Sequence, residues 1–259
     1  LRVLVVGDIV GRPGRRAVRE LLPGLVRRLG VDFTLANAEN AAGGMGITRK
    51  VVDELLACGL DVLTTGNHVW QKKEVLQFID QEPRVLRPAN YPPGTPGRGL
   101  GVFEARDRVR VAVLNLMGRV FLNAVDCPFR CADELLRGLA GDVRVILVDF
   151  HAEATSEKAA LAWYLDGRVS AVLGTHTHVQ TADERVLPGG TAYITDVGMT
   201  GPRDSVIGMK KEIILERFLT QLPSRFEVAG GGFQFNAVVV DVDPDSGKAV
   251  AITRVAEKE

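Results

Sequence analysis

Eight short runs rich in β-branched residues punctuate the chain, and most of them are apolar enough to read as buried on both faces. They lie at Val3–Val6, Phe33–Ala36, Val62–Thr65, Val111–Leu116, Val143–Val148, Val169–Leu173, Ala192–Thr195 and Ala237–Val242. A strand with one face in water alternates polar and apolar residues, whereas a strand covered on both faces reads as a continuous apolar run. Strands of this kind need a layer of structure above and another below. Helical patterns supply candidates for those layers, at residues 14–29, 48–58, 72–80, 131–140, 154–165 and 209–219. In the first, Val18, Leu21, Leu22, Leu25, Val26 and Leu29 share one helical face, and most of the arginines among Arg15, Arg16, Arg19, Arg27 and Arg28 fall on the solvated side.

Strands and helices that alternate in this way predict α/β architecture. The Pro/Gly-rich stretch at residues 87–101 reads as a surface loop rather than a linker, because strand-like sequence resumes on both sides without a change of composition. A single domain over residues 1–259 is therefore expected. From Asn236 onward the pattern predicts a β-hairpin that turns at Asp243–Gly247.

Composition removes several function classes. The 259 residues carry 32 Lys+Arg against 32 Asp+Glu, so the chain has no overall positive charge with which to neutralise nucleic-acid phosphates or an anionic membrane. A local basic rim of Arg12, Arg15, Arg16, Arg87 and Arg98 leaves RNA open as a partner. Cys58, Cys127 and Cys131 contain no Cys-x-x-Cys pair and form no disulfide framework, so a reducing, cytoplasmic location is expected. The opening apolar run stops at Asp8, too short for the apolar region of a signal peptide. No run approaches the ~18 apolar residues of a membrane span.

The four histidines, His68, His151, His176 and His178, all follow strand-like runs. Asp8 follows the first run, Glu39 and Asn40 the second, Asn67 and His68 the third, His151 the fifth, and His176 and His178 the sixth. Carboxyl ends of strands in open α/β sheets lie along one edge, so these groups should meet in space. Each has an ordinary alternative: Asp8 and Asn67 can cap helices, Glu39 and Asn40 can be loop residues, and His151 can be a hydrogen-bonded structural histidine. His176 and His178 can point the same way from an extended chain, which suits metal capture. Imidazole, carboxylate and amide donors without thiolate suit iron, manganese or zinc. Their number exceeds what one tetrahedral ion takes and implies two ions that share a bridging carboxylate, an arrangement used in phosphate-ester hydrolysis. Other nucleophile and nucleotide schemes lack their motifs. Ser156 has no Gly-x-Ser-x-Gly elbow, there is no P-loop, and the Gly7–Gly14 turn has the wrong spacing for a dinucleotide fingerprint.

The order Asp, Glu, Gly-Asn-His, His, His-x-His resembles the calcineurin-like metallophosphoesterases, and more closely their YmdB-type branch. The similar segments are GDIVGRPGR (7–15), NAENAAGGMGIT (37–48), TGNHVWQKKE (65–74), RPANYPPGTPG (87–97), DFHAEATSEK (149–158) and GTHTHVQTADERVLPGGTAYITDVGMTGP (174–202). The chain departs from the broad superfamily in having Ile9-Val10 after Asp8 instead of x-His, and Glu39 as the bridging carboxylate. The YmdB-type branch shares both changes.

The resemblance implies a two-sheet α/β sandwich with a dimetal site at the strand ends. It assigns Asp8, Glu39, Asn40 and His178 to one metal and Glu39, Asn67, His151 and His176 to the other, with iron or manganese as the metals. It further implies hydrolysis of phosphodiesters, with 2′,3′-cyclic or 3′,5′-cyclic nucleotides as substrates. A hydroxide bridging the metals would attack in line, and His68 would donate the proton to the leaving oxygen. A hydrogen bond that merely orients that hydroxide is the other role open to His68. The sequence also admits a different class of function, a regulatory protein that binds RNA or a partner and uses the metals for stability. Loops 41–48, 87–101 and 196–208 are expected to shape the pocket. Whether the chain forms a homo-oligomer does not follow from the sequence.

Overall fold

Alternate residues of the first strand, β1 (Arg2–Val6), enter different cores: Val3 and Val5 pack into one, Leu4 and Val6 into another. This is the physical meaning of a run that is apolar at every position. The computed structural model describes residues 1–259 and contains two mixed sheets that sandwich the first of these cores. In spatial order the larger sheet is β2 (Asp8–Ile9), β12 (Met199–Pro202), β13 (Phe233–Val242), β1, β3 (Phe33–Asn37), β4 (Val62–Thr64) and β5 (Val85–Leu86), with β14 (Ala249–Lys258) also paired to β13. The second sheet is β10 (Arg185–Val186), β11 (Ala192–Ile194), β9 (Ala171–Thr175), β8 (Val145–His151), β7 (Arg110–Met117) and β6 (Leu100–Glu104).

The core between the sheets is built from Val3, Val5, Phe33, Leu35, Val111, Val113, Leu147, Leu173, Val238 and their neighbours. Outside the larger sheet, α1 (Gly11–Leu29) and α2 (Arg49–Ala57) bury Val18, Leu22, Leu25, Val52 and Leu55 against Leu4 and Val6. Outside the other, α3 (Pro128–Arg137) and α4 (Thr155–Leu165) bury Ala132, Leu161, Ala162 and Leu165 against Leu114, Val148 and Phe150. The result is the expected two-sheet α/β sandwich, four layers deep. The last helix, α5 (Lys211–Thr220), buries only Ile214. No helix is long and apolar enough to cross a membrane.

The segment at residues 72–80 is not the α-helix its pattern predicts. It holds a 3₁₀ turn at Lys73–Gln77, which Lys72 in an extended conformation separates from another at Val69–Gln71. Val69, Val75, Phe78 and Ile79 all reach the core by this irregular path, so burial overrides local propensity. Several other element ends move by two or three residues. α1 begins at Gly11, α3 begins three residues early because Pro128 occupies its first turn, and β8 and β9 extend to His151 and Thr175. The final hairpin turns as predicted, closed by Gly247 N–H donating to the Asp243 carbonyl at 2.8 Å.

Candidate metal centre

β1, β3 and β4 are neighbouring parallel strands of one sheet, and β8 and β9 are neighbouring parallel strands of the other. Their carboxyl ends meet at one rim. β1 leads into Asp8, β3 into Glu39 and Asn40, and β4 into Asn67 and His68, while β8 ends on His151 and β9 runs on to His176 and His178.

Glu39, His151 and His176 each offer a donor atom, all within 4.8 Å of one another. His151 Nε2 lies 3.2 Å from Glu39 Oε1, 3.0 Å from Asn67 Oδ1 and 3.0 Å from His176 Nδ1. Asp8 Oδ1 stands 3.8 Å from His151 and 3.9 Å from His178. That oxygen is fully buried and has no hydrogen-bond partner, while its sister Oδ2 accepts from His176 N–H at 3.1 Å. An orphaned carboxylate oxygen costs free energy unless something cationic faces it. The donor set and this oxygen fit a bound metal cation.

Asn40 lies in the same cluster but presents its amide nitrogen to Glu39 Oε1 at 3.2 Å and to His178 Nε2 at 3.1 Å. Its Oδ1 faces His68 Nδ1 at 3.0 Å. Coordination through that oxygen beside His178 requires the amide to turn over. His68 approaches Glu39 twice, with its backbone N–H on Oε2 at 3.0 Å and its Nδ1 3.1 Å from Oε1. Its ring is half-buried.

Electrostatics follow from the crowding. Burial pushes the Asp8 carboxyl up to about 6, partly opposed by His178 and His151. Burial acts the same way on Glu39, yet the His151 and His68 imidazoles hold it well below the usual carboxylate range. For His151 burial disfavours the cation, but Glu39, Asp8 and Asp149 outweigh it and raise the imidazole to about 9. His176 drops to about 3, through burial and the nearby His151.

Several residues that hold the cluster were invisible to motif reasoning. Thr175 Oγ1 donates to Asp149 at 2.7 Å and lies 2.9 Å from His151 Nδ1. With its single proton committed to Asp149, it accepts from His151 Nδ1, which turns the Nε2 lone pair toward the centre. His178 Nδ1 donates to the Ile207 carbonyl at 2.9 Å, with the same effect. Glu153 reaches His176 Nε2 at 3.1 Å. Asp149 and Glu153 stand two residues on either side of His151, the one sequence signal that could have found them. Gly66 permits the close approach: a Cβ there would sit 2.2 Å from His151 Cδ2 and 2.5 Å from Glu39 Oε2.

The loop bearing His176 and His178 is itself fixed from behind. Both histidines have positive φ, 99° and 65°, a conformation L-residues adopt only when the surroundings enforce it. Thr177 between them donates its N–H (3.0 Å) and hydroxyl (2.8 Å) to Asp196, which also pairs with Lys158 at 2.8 Å. Lys158 and Asp196 are both buried.

The centre opens into a cavity of about 460 Å³. Two of the expected loops contribute, through Gly44 and Met45 and through Val206 and Ile207. Loop 87–101 does not; its Tyr91 ring packs edge-on against Trp70 and lines a separate cavity with Cys127. Ile214, Phe218 and Phe226, in α5 and the segment after it, take its place.

A family model described as YmdB-like protein matches residues 4–255. A 2′,3′-cyclic-nucleotide 2′-phosphodiesterase of Bacillus subtilis (strain 168) is 54% identical over 255 residues, 98% of this chain and 96% of that protein. Among solved structures, a hypothetical protein from Thermus thermophilus has a TM-score of 0.94 and 47% identity, with all of both chains covered. A structure described as a novel phosphatase, from Mycoplasma pneumoniae, has a TM-score of 0.94 and 34% identity, covering all of this chain and 93% of the other. Similarity from end to end joins the strand-end cluster in one conclusion: the chain belongs to the YmdB-like family.

Proposed function

We propose that the chain is a dimetal phosphodiesterase that hydrolyses 2′,3′-cyclic nucleotides and opens the bond to the 2′ oxygen. The observation that carries this reading is the convergence of Glu39, His151 and His176 beside the unpartnered oxygen of Asp8. The B. subtilis relative supports the 2′,3′-cyclic substrate class, and no relative named above supports the 3′,5′ class. Asp8, Glu39, Asn40 and His178 would hold one ion, and Glu39, Asn67, His151 and His176 the other. Iron, manganese and zinc all suit these donors. When bound, the ions supply an acidified water and neutralise charge on the phosphoryl oxygens. A closed structural metal site would have no cavity at its mouth, which argues against a purely stabilising role.

The chain's own contribution is positioning and one proton. Thr175, Ile207 and Glu153 fix the three ligating imidazoles. His68 uses Nδ1 on Glu39, which leaves Nε2 to protonate the departing 2′ oxygen. His68→Ala should lower kcat on 2′,3′-cyclic AMP by about 10²–10³. On bis-p-nitrophenyl phosphate, whose leaving group departs without a proton, the loss should be under about tenfold. Equal losses on both substrates would remove the donor role. The reaction itself is checked by loading purified protein with manganese or iron and looking for 3′-AMP from 2′,3′-cyclic AMP; absence of product overturns the reading.

Metal binding should also be pH-dependent. Metal-free His151 titrates at about 9, so at neutral pH an incoming ion displaces its proton. Affinity should rise about tenfold per pH unit from 6.5 to 8.5, and steepen below about 6, where Asp8 also holds a proton. Competition titrations across that range give the slope, and a flat profile would contradict the assignment of His151 as a ligand.

A further inference from the structure

The cavity beside the metal centre has more apolar surface than a phosphodiester needs. Met45, Ile207, Met209, Ile214, Phe218 and Phe226 line it together with His68, His176 and His178. Its volume, about 460 Å³, falls among pockets that enclose small organic ligands. The phosphate and ribose of a cyclic nucleotide are polar, and its base is the one large flat group that gains from such a wall. Two of the lining residues are aromatic. Phe218 is 73% exposed, so α5 holds a large apolar ring at the cavity without packing it into the core. Phe226 is half-buried, and the Arg217 guanidinium lies 4.8 Å from its ring centroid, a stacking contact that fixes the ring.

We infer that Phe218 and Phe226 form a base-stacking subsite that makes the enzyme select nucleoside cyclic phosphates over cyclic phosphodiesters without a base. The inference rests on the function proposed above and extends it to substrate choice. The apolar side chains of this wall offer no hydrogen bond to a base edge, so the subsite accepts purines and pyrimidines alike; stacking depends on a π-face that every base has. Glu153 and Thr177, also at the cavity, lie with the histidine loop rather than in this wall.

The test compares 2′,3′-cyclic AMP with glycerol 1,2-cyclic phosphate, which has the same five-membered ring and no base. In Phe218→Ala the ratio of kcat/KM for the two substrates should fall by about 5- to 150-fold, mainly through KM for the nucleotide. Phe218→Trp should restore it. Because Phe218 is largely exposed, its truncation removes little core packing and the variant should fold. Equilibrium dialysis of 3′-AMP against the metal-loaded protein gives a second readout, weakened by Phe218→Ala and recovered by Phe218→Trp. Hydrolysis with an unchanged substrate ratio in Phe218→Ala overturns the base subsite and leaves the phosphodiesterase standing. Phe218-dependent binding of 3′-AMP without hydrolysis supports the subsite and overturns the phosphodiesterase. Neither hydrolysis nor binding overturns both.

Discussion

Lys158→Met is expected to destabilise the protein by about 3–5 kcal/mol, the cost of leaving a buried charge without its partner. Lys158 is 1% exposed and its Nζ lies 2.8 Å from Asp196 Oδ2, so the substitution strands a carboxylate in the interior. Thr177 N–H, Thr177 Oγ1 and Gly198 N–H would still donate to Asp196, which limits the damage but cannot replace the cation. Urea unfolding measures the loss directly. Lys158→Met combined with Asp196→Asn removes both charges and should be less destabilising than the single change, since uncharged replacement of a buried pair is often close to neutral. A single variant that unfolds at the parent midpoint would show that the pair contributes nothing. Loosening Asp196 also releases the loop that holds His176 and His178 at positive φ, so metal affinity should fall with stability.

Glu39→Gln should have the largest effect on function. It preserves shape while removing the negative charge that faces His151 and His68. If one carboxylate serves both ions, both should weaken together, and metal content after gel filtration should fall below one ion per chain. Turnover of 2′,3′-cyclic AMP should drop by more than about 100-fold, beyond the loss caused by removing a hydrogen-bond partner of a ligand. Two ions retained per chain would contradict a shared ligand. The metal-free variant offers an independent check, because His151 loses the main partner that raises it to about 9 and should titrate lower in an NMR pH series.

Much of the site was legible because strand ends in an α/β sheet have a fixed geometric meaning. Asp8, Glu39, Asn67, His151, His176 and His178 are far apart along the chain, yet each follows an apolar run, and that rule alone places them at one rim. What escaped the sequence depends on packing between distant segments. Lys158 and Asp196 are 38 residues apart, and nothing local marks either as buried. β2 and β12 pair over only two positions, too few for any period to show. Residues 72–80 follow a helical pattern but are held by core contacts that a regular helix would not satisfy. The aromatic wall escaped because the sequence marks 209–219 only as a helix and carries no sign that it lies beside the strand-end cluster.

The strand registers have a consequence for folding fidelity. Val6 is paired with Ala36, Asn37 with Thr64, and His151 with Thr175. Sliding any one of these strands by a single residue displaces its end group by about 3.3 Å and turns alternate side chains to the opposite face. A slip of β3, β8 or β9 would therefore part Glu39, His151 and His176, whose donor atoms sit within 4.8 Å of one another. An ion held by this cluster would therefore report on the alignment of both sheets at once, and a chain trapped in the wrong register would fail to retain it.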